Sequence, residues 1–233
     1  MLEDTNYRYI LAQDKYELSG SCRCQAKVRR RCGRIGKGGN RVIGEENKGR
    51  ERILEGILDG NGEGAARRAE RVVHEFAPVF DASSRVLMLG TMPSPKSRET
   101  GFYYGHPRNR FWKVLADVCG EETPVSREDK IAFALRNHIA VWDVLAGCDI
   151  RGADDSSIRN PVPNDMNRIL KAADIRAVYT TGTKAAELYK RYCYPKTGIE
   201  AVRLPSTSPA NCRMSYEELY QAYAQIRRVL TRP

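Results

Sequence analysis

Arg85-Val86-Leu87-Met88-Leu89-Gly90 is the stretch from which the rest of this chain is read. A short apolar run that ends in glycine and does not alternate describes a strand buried on both faces. Three further runs read the same way: Ile139-Ala140-Val141-Trp142, Ile175-Arg176-Ala177-Val178-Tyr179, and Ile199 to Leu204. Helical patterns lie between them. Asn109 to Cys119 places apolar residues at 111, 112, 114, 115 and 118, and Ser126 with Asp129 opens a helix to about Asn137. Asn164 is expected to cap a helix to about Ala173, and Gly182-Thr183 to open one to about Tyr192. Ser215 and Glu218 form a second capping box, ahead of the stripe Tyr216, Leu219, Tyr220, Tyr223, Ile226, Val229 and Leu230. Four apolar strands separated by helices predict an α/β fold around a parallel sheet covered on both faces. Such sheets bind ligands beyond the carboxyl ends of their strands. The loops expected there are 90–109, 143–164, 180–183 and 205–214.

Outward from this core the composition changes. Residues 1–70 are rich in glycine, and between Gly20 and Ile43 they carry eight Lys or Arg and no acid. They are read as a basic, mostly disordered extension, with the folded domain spanning residues 71–233. The whole chain has 233 residues and a formal charge of +10, which favours a polyanionic partner because each neutralised phosphate releases a counterion. No run approaches 18 apolar residues and the N-terminus lacks the pattern of a signal peptide, so no membrane association and a cytoplasmic location are expected. Seven cysteines, an odd count, read as free thiols in that setting.

The expected site loops hold unusual residues. The first runs Gly90-Thr91-Met92-Pro93-Ser94 and continues through Phe102-Tyr103-Tyr104-Gly105-His106-Pro107-Arg108-Asn109-Arg110. Nearly 20 residues is long for a strand-to-helix connection, and such loops are usually functional. Its aromatics offer stacking faces for a base, and its arginines offer phosphate contacts. The last loop, Leu204-Pro205-Ser206-Thr207-Ser208-Pro209-Ala210-Asn211, stiffens a run of hydroxyls and backbone N–H groups with two prolines. Such a segment suits a phosphate backbone or a wedge against a base step. Asp143 and Asp155 fall on the second strand's side of the expected mouth, where either is a candidate to orient a partner.

The order Gly90–Ser94, Tyr103–Trp112, Trp142–Leu145, Asp155–Ile158 and Leu204–Asn211 resembles the hypoxanthine-DNA glycosylase branch of the uracil-DNA glycosylase superfamily, across roughly residues 71 to 230. The resemblance implies a three-layer α/β/α sandwich with a central four-stranded parallel sheet. It implies a monofunctional glycosylase that acts on DNA containing deaminated bases, releasing hypoxanthine and, as a second substrate, uracil. Neither cofactor nor metal is implied, and a monomer is expected. An everted base enters a pocket and leaves as a delocalised anion while water attacks an oxocarbenium-like sugar, so catalysis needs positioning and charge stabilisation rather than a strong nucleophile.

By resemblance Asn109 is the catalytic residue. Its amide suits water positioning or contact with the base, and a helix cap is the alternative role. The base pocket is assigned to Gly90, Thr91, Met92, Tyr103, Tyr104, His106 and Thr181, and DNA contact to Arg108, Pro205, Ser206, Thr207, Ser208 and Asn211. Two positions depart from other branches of the superfamily, and a third, Thr181, departs from the hypoxanthine branch itself. Met92 stands where mismatch-specific relatives carry a water-binding Asn, Leu204 where the uracil-specific enzymes carry a His, and Thr181 where an Asn is frequent.

Rival chemistries have little support. Cys22, Cys24 and Cys32 lack a fourth ligand nearby and the usual spacing of a zinc or iron–sulfur site. No lysine occupies a motif position for Schiff-base chemistry, so no lyase step is expected, and no phosphate-binding or nucleophile-elbow motif follows a strand. The remaining readings are a uracil- or mismatch-specific glycosylase on the same fold and a catalytically silent lesion-binding module.

Overall fold

The computed structural model describes residues 68–231. Four strands, β2 (Val86–Gly90), β3 (Ile139–Asp143), β6 (Ala177–Thr181) and β7 (Ala201–Leu204), form a parallel sheet in the order β3-β2-β6-β7. Every residue of β2 and β3 is buried. Successive side chains on a strand point to opposite faces, so both faces of the sheet centre are covered, as a sandwich requires. The helices are α1 (Pro95–Thr100), α2 (Phe111–Cys119), α3 (Arg127–Arg136), α4 (Asn167–Leu170), α5 (Thr183–Leu188), α6 (Tyr194–Thr197), α7 (Tyr216–Ala224) and α8 (Arg227–Leu230). Both capping boxes form reciprocally: Ser126 with Asp129 opens α3, and Ser215 with Glu218 opens α7. α3 packs on β3, α5 on β6 and β7, and α2 against α7.

A second sheet was not expected. Antiparallel strands β1 (Glu70–Val73), β4 (Leu145–Arg151) and β5 (Asp154–Pro163) associate in the order β1-β4-β5. Much of the segment 143–164, read from sequence as a loop, is therefore a hairpin, turning at Gly152 with φ of 57°. Its pattern was illegible because three register shifts break the alternation and β5 is rich in Asp, Ser, Asn and Pro.

Other boundaries also move. Asn164 does not cap a helix: its amide nitrogen donates to Asp143 O at 3.0 Å, and the short α4 begins at Asn167 behind Met166. The helix after Gly182 continues past Leu188 through a π-helical turn, Tyr189–Cys193, into α6. The C-terminal stripe is split between α7 and α8, and Leu219, Tyr223 and Ile226 are its buried members. The long first loop contains α1, capped by Ser94. The expectations for the basic extension and for Cys22, Cys24 and Cys32 lie outside the described residues, apart from Arg68, Ala69 and Glu70, the last of which begins β1. Among the described residues, no helix is long and apolar enough to cross a membrane.

Candidate active site

The carboxyl ends of β2, β3, β6 and β7 open on one cavity of about 1070 Å³. The loop after β2, the 103–109 segment, the β6–α5 turn, the tip of the β4–β5 hairpin and the loop after β7 all line it. The two signature loops therefore face one space, as a shared site demands.

Arg110 ties these loops together. Its guanidinium donates to Met214 O at 2.8 Å and to Asn211 O at 3.0 Å, while its backbone N–H donates to Thr207 O at 3.1 Å. The phosphate role suggested by sequence for this arginine is thus replaced by a structural one, because its donors are committed to carbonyls. Asn211 closes the late loop on itself, its amide nitrogen donating to Ser206 O at 2.9 Å. Tyr223 OH donates to Pro205 O, and Gly182 N donates to Leu204 O.

Asn109 stands on the cavity wall immediately before α2. Its Oδ1 accepts from Phe111 N at 3.0 Å in an Asx turn; Arg110, not Asn109, holds the cap position of the helix. That bond orients the amide: the oxygen is used by the helix, and the NH2 is left for a guest. Asn109 is thus available as a donor, suited to a water oxygen or a base carrying developing negative charge. The nine-residue helix α2 begins beside it and adds the field of its amino terminus.

The aromatics divide. Tyr103 is buried, with its OH donating to Phe76 O and Ala77 O and its carbonyl accepting from Trp112 Nε1. It anchors the loop even though it reaches the cavity wall. Tyr104 takes a left-handed conformation with φ of 53° and stacks on Phe111, ring centroids 3.6 Å apart. Its OH pairs with Thr181 Oγ1 at 3.1 Å, and Thr181 Oγ1 also donates to Leu89 O. Burial, then the charge of Asp143, holds the Tyr104 phenol well above its ordinary pKa, so it stays neutral. His106 lies on the wall, and its Nδ1 accepts from Arg108 N at 3.0 Å, which leaves Nε2 as the donor toward a guest.

All the residues assigned to the base pocket line the cavity. Of those assigned to DNA, Pro205, Ser206, Thr207, Ser208 and Asn211 line it as well. Arg108 is exposed and is absent from the cavity wall. Thr207 is 1% exposed, so the assignment of a DNA contact to it does not extend to its side chain; it serves the loop through its carbonyl.

Sequence reasoning placed Asp143 and Asp155 at the mouth but missed His74 and the partners that hold both carboxyl groups. His74, just past β1, and Asp143, at the end of β3, are both buried, with Nε2 and Oδ2 2.9 Å apart. His74 Nδ1 accepts from Phe76 N, so the proton sits on Nε2 and is donated to the carboxylate. A Cβ on Gly90 would collide with Asp143 Oδ1, so glycine is required there by close approach. Asp155 Oδ2 accepts from Thr91 Oγ1 at 3.0 Å, and burial, with help from Asp143 and Asp154, raises the Asp155 pKa. Nothing in the local sequence marks His74, because its partner lies 69 residues away.

The Uracil DNA glycosylase superfamily model matches residues 77–228, which include both loops and the whole parallel sheet. The chain belongs to the uracil DNA glycosylase superfamily. Among similar proteins, Hypoxanthine DNA glycosylase of Methanosarcina barkeri is 33% identical over 141 residues, covering 59% of this chain and 87% of that protein. Hypoxanthine DNA glycosylase of Methanosarcina acetivorans is 32% identical over 142 residues, covering 60% of this chain and 89% of its own. A solution NMR structure of a candidate uracil DNA glycosylase from Methanosarcina acetivorans superposes with a TM-score of 0.59 at 30% identity, covering 71% of this chain and 99% of that one.

Proposed function

We propose that this superfamily member is a monofunctional DNA glycosylase that removes deaminated bases, hypoxanthine foremost, from DNA and leaves an abasic site. The observation that carries the reading is the convergence of the 90–109 and 205–214 loops on one cavity, with the Asn109 amide on its wall. The two Hypoxanthine DNA glycosylase relatives support the choice of base.

In this reading the target nucleotide leaves the stack and its base enters between the Gly90–Met92 backbone and the Tyr104 side. Asn109 Nδ2 and His106 Nε2 supply donors to the base or to the attacking water. As C1′–N9 lengthens, electrons move onto the base, and fixed donors near the α2 amino terminus stabilise them. Ser206 and Ser208 face the same opening, where hydroxyl and backbone N–H groups suit a phosphate, and Arg108 stands exposed nearby in sequence. A basic chain of +10 adds general attraction to DNA.

The test uses duplexes carrying one hypoxanthine, one uracil or only normal bases, treated with alkali after incubation with the protein. Strand cleavage at hypoxanthine is expected, without cleavage before alkali. Cleavage at uracil alone would make it a uracil enzyme, and lesion binding without cleavage would make it a recognition module.

A further inference from the structure

The hairpin that sequence left as a loop brings a carboxyl group onto the cavity wall. Asp155, the second residue of β5, lines the same space as Asn109. Its Oδ2 accepts the Thr91 hydroxyl proton at 3.0 Å. That bond commits one oxygen as an acceptor and leaves Oδ1 to carry a proton. Asp143 also lines the cavity, but its carboxylate is held from behind by the His74 Nε2 proton. Two carboxyl groups in one pocket thus have different partners: one receives an N–H from a buried imidazole, the other a neutral hydroxyl. Such asymmetry separates an acid from an anion.

Resting on the proposed function, we infer that Asp155 is the general acid that protonates the purine ring of the departing base. A purine has a basic ring nitrogen remote from the glycosidic bond, whereas uracil has none. When C1′–N9 breaks, its electron pair stays on the base. Transfer of the Asp155 proton to that ring nitrogen releases a neutral base instead of an anion. Water adds its oxygen to C1′ and loses one proton to solvent in the open cavity, and the Asp155 carboxylate regains a proton from solvent. The sum is hydrolysis, with no oxidant or other co-reactant.

The surroundings keep Asp155 protonated to higher pH than an ordinary aspartate. Burial acts first and the Thr91 hydrogen bond opposes it; Asp143 from the end of β3 adds repulsion, Lys184 from α5 attracts, and Asp154 on its own strand repels. DNA phosphates at the mouth would disfavour the anion further.

The experiment measures single-turnover release of hypoxanthine from duplex DNA as a function of pH, alongside DNA affinity by fluorescence anisotropy. The unmodified protein is expected to slow as pH rises through the Asp155 titration. Asp155→Asn keeps an oxygen for Thr91 and is expected to lose about 100-fold in rate. The variant should also lose the descending limb, with unchanged DNA affinity. Lys184→Gln removes the attracting charge and should move the limb to higher pH. An Asp155→Asn rate within threefold of the unmodified protein, or a descending limb that survives this change, overturns the inference and leaves the proposed function standing. A limb unmoved in Lys184→Gln also counts against it. Absence of any excision by the unmodified protein removes the proposed function and this inference together.

Discussion

Replacing Gly90 by alanine puts a methyl group where Asp143 Oδ1 now sits, with Tyr104 OH 3.1 Å away. An ordinary carbon–oxygen contact needs about 3.3–3.6 Å, so the carboxylate has to retreat by roughly an ångström. It has little room to do so, since both Asp143 and His74 are buried and 2.9 Å apart. Retreat stretches that hydrogen bond beyond about 3.5 Å, where it ceases to count as one. A buried hydrogen bond to a charged group is worth about 1.5–3 kcal/mol, and orphaning its partner costs about as much again when no water replaces it. The expected destabilisation is therefore about 3–6 kcal/mol, or roughly 6–24 °C in Tm for a domain of this size. The assay is thermal unfolding of the unmodified protein, Gly90→Ala, Asp143→Ala and the double variant. Removing Asp143 first removes the collision, so Gly90→Ala in that background should cost less than about 1 kcal/mol. Additive losses would show that the carboxylate is not what excludes a side chain at position 90, and a Gly90→Ala protein of unchanged Tm would refute the packing argument outright.

Asn109→Ala should lower hypoxanthine release about 100- to 1000-fold, as loss of one preorganised donor does, while losing the Phe111 N–H bond costs only about 1 kcal/mol. Single-turnover kinetics and unfolding curves on the same preparation separate the two effects. Arg110→Ala frees the two carbonyls, Met214 O and Asn211 O, held by its guanidinium, and should raise proteolytic sensitivity within 205–214 and weaken DNA affinity with little change in Tm. Equal sensitivity in limited proteolysis would remove the arginine from loop positioning. Asp155 has a folded pKa above its ordinary value, so the native state holds its proton more tightly than the unfolded chain does. Its contribution to stability is therefore lost as pH rises from the ordinary aspartate range through the folded pKa, and Asp155→Asn should flatten that decline in denaturant titrations at stepped pH. A chain lacking residues 1–67 is expected to keep its excision rate on hypoxanthine duplexes; loss of the rate would place the basic extension in the catalytic unit.

The β-α alternation was legible because buried parallel strands cannot be disguised. Val86–Leu89 and Ile139–Trp142 are apolar throughout, since each face meets a covering layer. Ser126 and Ser215 announced their helices, because a reciprocal cap needs only residues three apart. The hairpin was not legible: β4 and β5 cover only part of their surface, shift register, and mix Asp, Ser and Pro with apolar residues. With the hairpin went the weight of Asp155. The wall position of Asn109 and Tyr104 followed from their motif, but their orientation did not. Only the Phe111 N–H shows which end of the Asn109 amide is free, and only Thr181 shows where the Tyr104 hydroxyl points.

By itself the sequence determined the parallel core, the order of its elements and the two loops that line the cavity, because these depend on short-range pattern and on motifs read along the chain. Tertiary structure alone decided which polar groups face the guest and which serve the scaffold. Arg110 turned from a phosphate ligand into a clasp, Thr207 was buried, and His74 met Asp143 across 69 residues. The physical reason is that a hydrogen bond is satisfied by proximity in space, and the neighbours that satisfy a buried side chain are set by the folded chain as a whole.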